Sequence, residues 1–389
     1  MIDRVASGSE TWRVGVLFSR SGLMAITETE HFLGTALAIQ EINQSGGILE
    51  REIEVVAYDP GSDPEIYRKM ADRLLTEDGI SVIFGCSTSA QRKAVLPAIE
   101  RRNGLLWYPS LYEGFEYSPN VIYTGASPNQ NSFPLAEYLV RHYGKRVFLV
   151  GSDYVYPRES NRIMRDLITS YGGVIAGELY VPMEASPAEL QAVLARVKEQ
   201  QPDVLFSTVV GQSTAIFYEA YWRAGFDPNK MPIASLTTSE AEVAEMNPEA
   251  AEGHITAAPF FEALATPAAR RFINAYKQRY GANAPVTAGA EAAYFQVHLA
   301  AAALARAGTD DPEQLLPAVR DAEFDAPQGR VRIDASNNHT YLWPRVAKLD
   351  AKGTFQIVWN PGVRVKPDPY CVVMSLDDWS ADRPQQIHA

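Results

Sequence analysis

Hydroxyl and aromatic side chains gather at the ends of short apolar runs in this sequence, so chemistry is most readily placed there. Cys86-Ser87-Thr88-Ser89 follows one run, Tyr108-Pro109-Ser110-Leu111-Tyr112 closes another, and Ser152-Asp153-Tyr154-Val155-Tyr156-Pro157-Arg158 follows a third. Thr208 to Gln212 and Leu236-Thr237-Thr238-Ser239-Glu240 supply two more sets. Hydroxyls and unpaired helix-start amides donate to or accept from a small polar ligand, while tyrosines wall its apolar remainder. Each serine and threonine also reads as an ordinary helix cap. The candidate ligand contacts are Ser87, Ser89, Tyr108, Ser110, Leu111, Tyr154, Thr208, Val210 and Thr237.

Catalysis finds less footing. The GxSxG, HExxH, GxGxxG and P-loop patterns do not occur. Cys86 sits where a helix start lowers a thiol pKa, with Lys93 and Glu100 seven and fourteen residues on. At 1.5 Å per residue these lie about 10 and 20 Å along the helix and do not meet at one carbonyl. Six histidines are scattered without ligand spacing, and Cys86 and Cys371 form no CxxC pair. No catalytic residue, metal or cofactor is expected.

Positioning those sets requires strands that alternate with helices. VGVLF reads as a buried strand, followed by a helix from about Glu30 to Asn43. Strands at 51–58, 81–85 and 105–108 alternate with helices at 64–75 and 90–102, which is the pattern of a doubly wound parallel sheet. A second series runs from Pro128 to about Ser235, and the pattern turns mostly helical after Ala257. Beyond Phe324 come short strands, with Asp350 to Gly353 a hairpin tip.

The chain has 389 residues and a formal charge of −12 without a basic stripe. Two lobes fit that length, and direct nucleic-acid binding is not expected. The apolar stretches are too interrupted for a membrane span. Met1 to Thr11 is polar and lacks the apolar core of a signal peptide, so a cytoplasmic address is expected, or a periplasmic one if a leader was removed. Residues up to 11 and beyond about 379 read as loosely held tails.

The motifs themselves resemble a known family. Phe18-Ser19, Ser21-Gly22, Ser89, Ser110, Tyr154, Phe324-Asp325-Ala326-Pro327-Gln328-Gly329 and Asn338-His339 resemble the type I periplasmic binding proteins of the branched-chain amino acid class. YPSLYEGFEYSPN from Tyr108, GSDYVYPRESN from Gly151, FSTVVG from Phe206 and IASLTTSEAEVA from Ile233 look most like the AmiC-type amide receptors, ligand-sensing negative regulators of amidase operons. PNQNS at Pro128, AEAAY ending at Tyr294 and the text from Asp368 to Val373 extend the likeness over nearly the whole chain.

That resemblance implies an α/β fold of two doubly wound lobes joined by a three-stranded hinge, closing as a Venus flytrap. It implies crossings near Gly125, Gly253 and Gly329, giving lobes of 12–125 with 254–329 and of 126–253 with 330–378. It further implies a cytoplasmic receptor for a small neutral amide, acting by sequestration of an AmiR-like RNA-binding antiterminator; a homo-oligomer is a further expected partner state. The alternative is the solute-binding subunit of an ABC importer for urea, short amides or branched-chain amino acids. In the amino acid binders an acid near position 237 holds the α-ammonium group. Thr237 cannot neutralise that charge, which disfavours a zwitterion, although Glu240 is near enough to reach back. Ser87 and Leu111 replace an aromatic and a proline of the amide receptors and leave the ligand's size open.

Overall fold

The computed structural model describes residues 11–371. Its first lobe begins β1 (Thr11–Leu17), α1 (Ala25–Gln44), β2 (Glu52–Tyr58), α2 (Pro64–Thr76), β3 (Val82–Gly85), α3 (Ser89–Arg101), β4 (Leu105–Tyr108) and β5 (Val121–Tyr123). The strands form one parallel sheet in the order β2-β1-β3-β4-β5. Short runs such as VIFG and LLWY are buried throughout, as strands covered on both faces must be.

The chain then builds α4 (Pro128–His142), β6 (Arg146–Ser152), α5 (Val155–Ser170), β7 (Val174–Val181), α6 (Pro187–Gln200), β8 (Val204–Thr208) and α7 (Gln212–Arg223). It continues with β9 (Ile233–Ser235), α8 (Glu240–Ala244), α9 (Pro248–Ala251) and β10 (Ile255–Ala258). Proline at the first turn of α2, α4 and α6, and of the later helices that begin at Pro267 and Pro312, supplies a preset φ where no amide partner is needed.

Next come α10 (Pro267–Tyr280), α11 (Ala288–Ala307), α12 (Pro312–Val319), β11 (Glu323–Ala326), β12 (Gly329–Ile333), β13 (Thr340–Tyr341), β14 (Arg345–Leu349) and β15 (Phe355–Trp359). The helices α10 to α12 return to the first lobe. Phe272, Phe295 and Leu315 share one core with Val14, Leu37 and Trp107. One face of the first sheet therefore carries α1 and α11, and the other α2 and α3 with Tyr67, Leu74 and Val95.

The second sheet runs β15-β14-β10-β9-β8-β6-β7, with β14 antiparallel to both of its neighbours, β10 and β15. Two lobe boundaries differ from those expected. Strand β10 pairs with β9 and β14, so residues 255–258 lie in the second sheet rather than the first lobe. Strands β11 to β13 form a small antiparallel sheet whose Val331 and Ile333 join the first core, so the last crossing lies after Tyr341 rather than at Gly329. Strand pairing over this range is long in sequence, which local composition does not report.

The three crossings are tied together. Arg345 is buried, and its guanidinium donates to the carbonyls of Pro259, Trp343 (3.0 Å) and Gln328 (2.8 Å). Gln130 of α4 donates to the carbonyls of Thr340 and Val365, both at 2.9 Å. At the first crossing Gly125 is required, because a Cβ there would fall 1.8 Å from the Ser110 carbonyl oxygen. Thr11 begins β1 rather than a tail. The other expected tail residues lie outside the described range, as does the stretch from Val372 to Val373 of the last motif.

Candidate ligand-binding cleft

The carboxyl ends of both parallel sheets face one cleft between the lobes, as open α/β sheets dispose their sites. Its cavity measures about 120 Å³. A water needs about 10–15 Å³ on this scale, so the space suits a ligand of roughly ten non-hydrogen atoms.

The first wall is the start of α3. Cys86 turns the chain out of β3 with φ of 67°, and Thr88 caps α3 in a reciprocal box with Gln91. The Gln91 side-chain oxygen accepts from the amides of Ser87 and Thr88 at 2.8 and 2.9 Å, and its nitrogen donates to Glu28 of α1 at 2.6 Å. Glu28 also accepts from the Ser19 amide and from Tyr67, and burial holds its carboxyl above the usual range. A buried acid on one helix thus fixes where the next helix begins.

Ser87, Ser89, Ser110, Leu111, Tyr154, Val210 and Thr237 all line the cavity. Tyr108 and Thr208 do not. The Tyr108 hydroxyl donates to the Ser87 carbonyl at 2.9 Å behind the wall, and Thr208 turns away to the Val150 carbonyl and to Asn161 at 3.0 Å. Ser89 is at the wall, but its hydroxyl donates to Glu113 at 2.5 Å. Glu113 and Glu116 in turn hold the buried Arg92 at 3.0 and 2.8 Å, and Arg92 lies 4.9 Å over the Tyr108 ring. Thr237 donates to the Val209 carbonyl at 3.1 Å.

The proposed cysteine set does not converge. The Cys86 thiol is buried and pushed well up, Lys93 pairs with Glu116, and Glu100 accepts from Ser118.

Several lining groups lie outside the nine candidate contacts, although Tyr156 and Glu240 stand in the strand-end sets read from the sequence. Tyr156 of α5 has a buried hydroxyl without a partner, as does Thr256 of β10. From α1 come Thr27, Glu30 and His31, and from α8 come Glu240 and Glu242. Thr27 donates to Glu242 at 3.2 Å, so the two lobes touch across the opening. A Cβ on Gly211, whose φ is 63°, would meet the Leu23 carbonyl oxygen of the first lobe at 3.0 Å. The premise that an acid is missing near Thr237 therefore needs correcting: Glu30, Glu240 and Glu242 bring carboxyls to the same space.

Two of those carboxyls, Glu30 and Glu240, are biased toward their neutral forms. Burial raises Glu30 well above the usual carboxyl range, reinforced by repulsion from Glu242 and Glu240. Burial pushes Glu240 up to about 8. Glu291 of α11 is likewise pushed up to about 8 by burial, against hydrogen bonds from Gln328. His31 is driven down to about 3 by burial and is also neutral.

Two α/β lobes with such a cleft and three crossings define an architecture, and the sequence assigns it. Residues 12–376 match the periplasmic binding protein domain family. The chain belongs to that family. Among curated relatives, Leu/Ile/Val-binding protein homolog 6 of Brucella suis is 24% identical over 361 residues, covering 90% of this chain and 91% of that protein. A solute-binding protein of an ABC transporter from R. palustris, in complex with benzoate, superposes with a TM-score of 0.83 at 19% identity over 93% of this chain and all (100%) of its own. The branched-chain amino acid binding protein LivJ from Streptococcus pneumoniae, with isoleucine, gives 0.79 at 22% identity over 90% and 100%. The family is one of ligand-binding proteins. Among the described residues, no helix is long and apolar enough to cross a membrane.

Proposed function

We propose that the protein is the solute-binding component of an ABC-type importer and that its ligand is a small uncharged molecule of the amide or urea type. The importer role is supported by the relatives, which are named for amino acid binding or ABC transport. The ligand class is supported chiefly by one observation: Glu30, Glu240, Glu291 and His31, all lining the cleft, are shifted toward their uncharged forms.

No lysine or arginine among the described residues lines the cleft to pair with a carboxylate ligand, and the guanidinium nearest the start of α3 is already held by Glu113 and Glu116. An amide offers a carbonyl acceptor and N–H donors. Ser87, Ser110 and Tyr156 present hydroxyls that match both, Thr237, whose proton goes to the Val209 carbonyl, can accept an N–H, and Leu111, Tyr154 and Val210 provide apolar contact.

A second reading is a cytoplasmic amide receptor that regulates an amidase operon by sequestering an antiterminator. The observation favouring it is that YPSLYEGFEYSPN, GSDYVYPRESN, FSTVVG and IASLTTSEAEVA each contribute residues to the cleft.

A thermal-shift panel of acetamide, butyramide, urea, leucine, isoleucine and benzoate tests the ligand. Saturation at a hundred times Kd stabilises by about 2.7 kcal/mol. Shifts by amides or urea are expected, and a shift by leucine, isoleucine or benzoate alone would sink the proposal. Capture of a permease or of an RNA-binding partner in the presence of the active compound separates the two roles.

A further inference from the structure

We propose that Glu30 determines ligand specificity by presenting a carboxylic acid whose Oε1–H donates to the carbonyl oxygen of an uncharged amide-type ligand. This inference rests on the ligand class proposed above and names the residue that enforces it.

Geometry fixes which oxygen carries the proton. Thr287, the N-cap of α11, accepts from the Ala290 amide at 3.1 Å and gives its own proton to Glu30 Oε2. Oε2 is thus an acceptor. Oε1 is buried, has no hydrogen-bond partner, and belongs to a residue that lines the cleft and is only 5% exposed. A protonated Glu30 therefore carries its hydrogen on the oxygen without a partner.

The surroundings keep that proton in place. Glu240 and Glu242 face Glu30 from α8, Tyr276 from α10 lies within electrostatic reach, and His31 adjoins it on α1. Glu291 of α11 also borders the cleft. Glu262 lies beyond Glu240 and is paired with Lys277, so that cation is engaged elsewhere. The Ser239 hydroxyl approaches Glu30 but donates to Glu242. Among the described residues no lysine or arginine lines the cavity, so only the hydroxyls of Thr287 and Ser239 favour the ionised form of Glu30, and burial outweighs them. A buried protonated acid in this setting donates to a neutral acceptor and loses that donor on ionisation.

The test is calorimetric titration of butyramide and urea into wild type, Glu30→Gln, Glu240→Gln and Glu291→Gln between pH 6 and 10. Wild-type affinity is expected to fall with rising pH, approaching about tenfold per unit once Glu30 ionises. Glu30→Gln can turn its amide N–H₂ to the cleft and its oxygen to Thr287, so it should bind within about threefold of wild type at pH 7 and show a flatter pH profile. The other two variants should retain the portion of the slope that Glu30→Gln loses. An unchanged slope in Glu30→Gln, or more than a tenfold loss of affinity at pH 7, overturns the assignment. Should Glu30→Gln fold poorly, Thr287→Ser should bind like wild type and Thr287→Val more weakly; equal binding by both also overturns it. If wild type ignores both compounds but binds leucine, the ligand class itself fails, which is a different result from amide binding that is indifferent to Glu30.

Discussion

Gln91 places its side-chain nitrogen 2.6 Å from Glu28 Oε1 and its oxygen 2.8 Å from the Ser87 amide. One side chain thus couples a buried acid of α1 to the backbone that walls the cleft, and its amide has one sensible orientation. Each group it satisfies is buried, so each is costly to leave unpaired.

Gln91→Leu strips partners from the Ser87 and Thr88 amides and from Glu28. The expected loss is about 3 kcal/mol of unfolding free energy in urea titration. Ligand affinity should fall as well, because the start of α3 loses its anchor.

Tyr156→Phe removes a hydroxyl that has no protein partner. Stability should change by less than about 0.5 kcal/mol, whereas ligand affinity should drop roughly five- to tenfold if that hydroxyl meets the ligand. Unchanged affinity in calorimetry would place the ligand away from α5. Thr208→Val should behave in the opposite way, costing about 1 kcal/mol of stability while leaving affinity alone, since Thr208 bonds only behind the wall.

Glu240 and Glu291 bind protons more tightly folded than unfolded, with folded values raised from 4.5 to about 8. Their contribution is therefore fully present below the unfolded value near 4.5 and is lost as pH rises toward about 8. Denaturant midpoints of the empty protein should fall across that window, on the order of 3 kcal/mol for buried Glu291 and less for the partly exposed Glu240. Glu291→Gln should flatten the profile. A midpoint that rises over the same range would contradict these environments.

Gly211→Ala places a methyl against the Leu23 carbonyl oxygen of the facing lobe, at a φ of 63°. The lobes should be held slightly apart, weakening ligand binding by about tenfold or more, with an increased radius of gyration in small-angle scattering. Identical scattering and affinity would show that the lobes do not close at this point.

Much of the scaffold was legible because strand and helix signals are local. VIFG, LLWY and the proline-headed helices announce themselves within a few residues. Strand β5 did not, since three buried residues between turns carry no periodicity. Helix α1 starts at Ala25 rather than near Glu30, which turns Thr27 and Glu30 into the cleft. Glu240 was within reach of the sequence reading, but Glu30 was missed for a related reason. Glu30 lies some two hundred residues away, and only the closing of one lobe on the other brings the two together. Tyr108 and Thr208 sit at strand ends as read, but whether a hydroxyl faces the cavity or the wall behind it depends on tertiary partners.

The threefold crossing of the chain has a consequence for biosynthesis. Helix α1 packs on α11 about 260 residues later, and the second sheet takes β14 and its edge strand β15 from residues 345–359. The first lobe lacks its last strand until Tyr341 has left the ribosome, and the second until Trp359 has. Folding one lobe while the other is being synthesised is therefore not open to this protein. Its early chain must remain free of aggregation with an uncovered sheet face, and truncations before β14 should yield insoluble product rather than an isolated lobe.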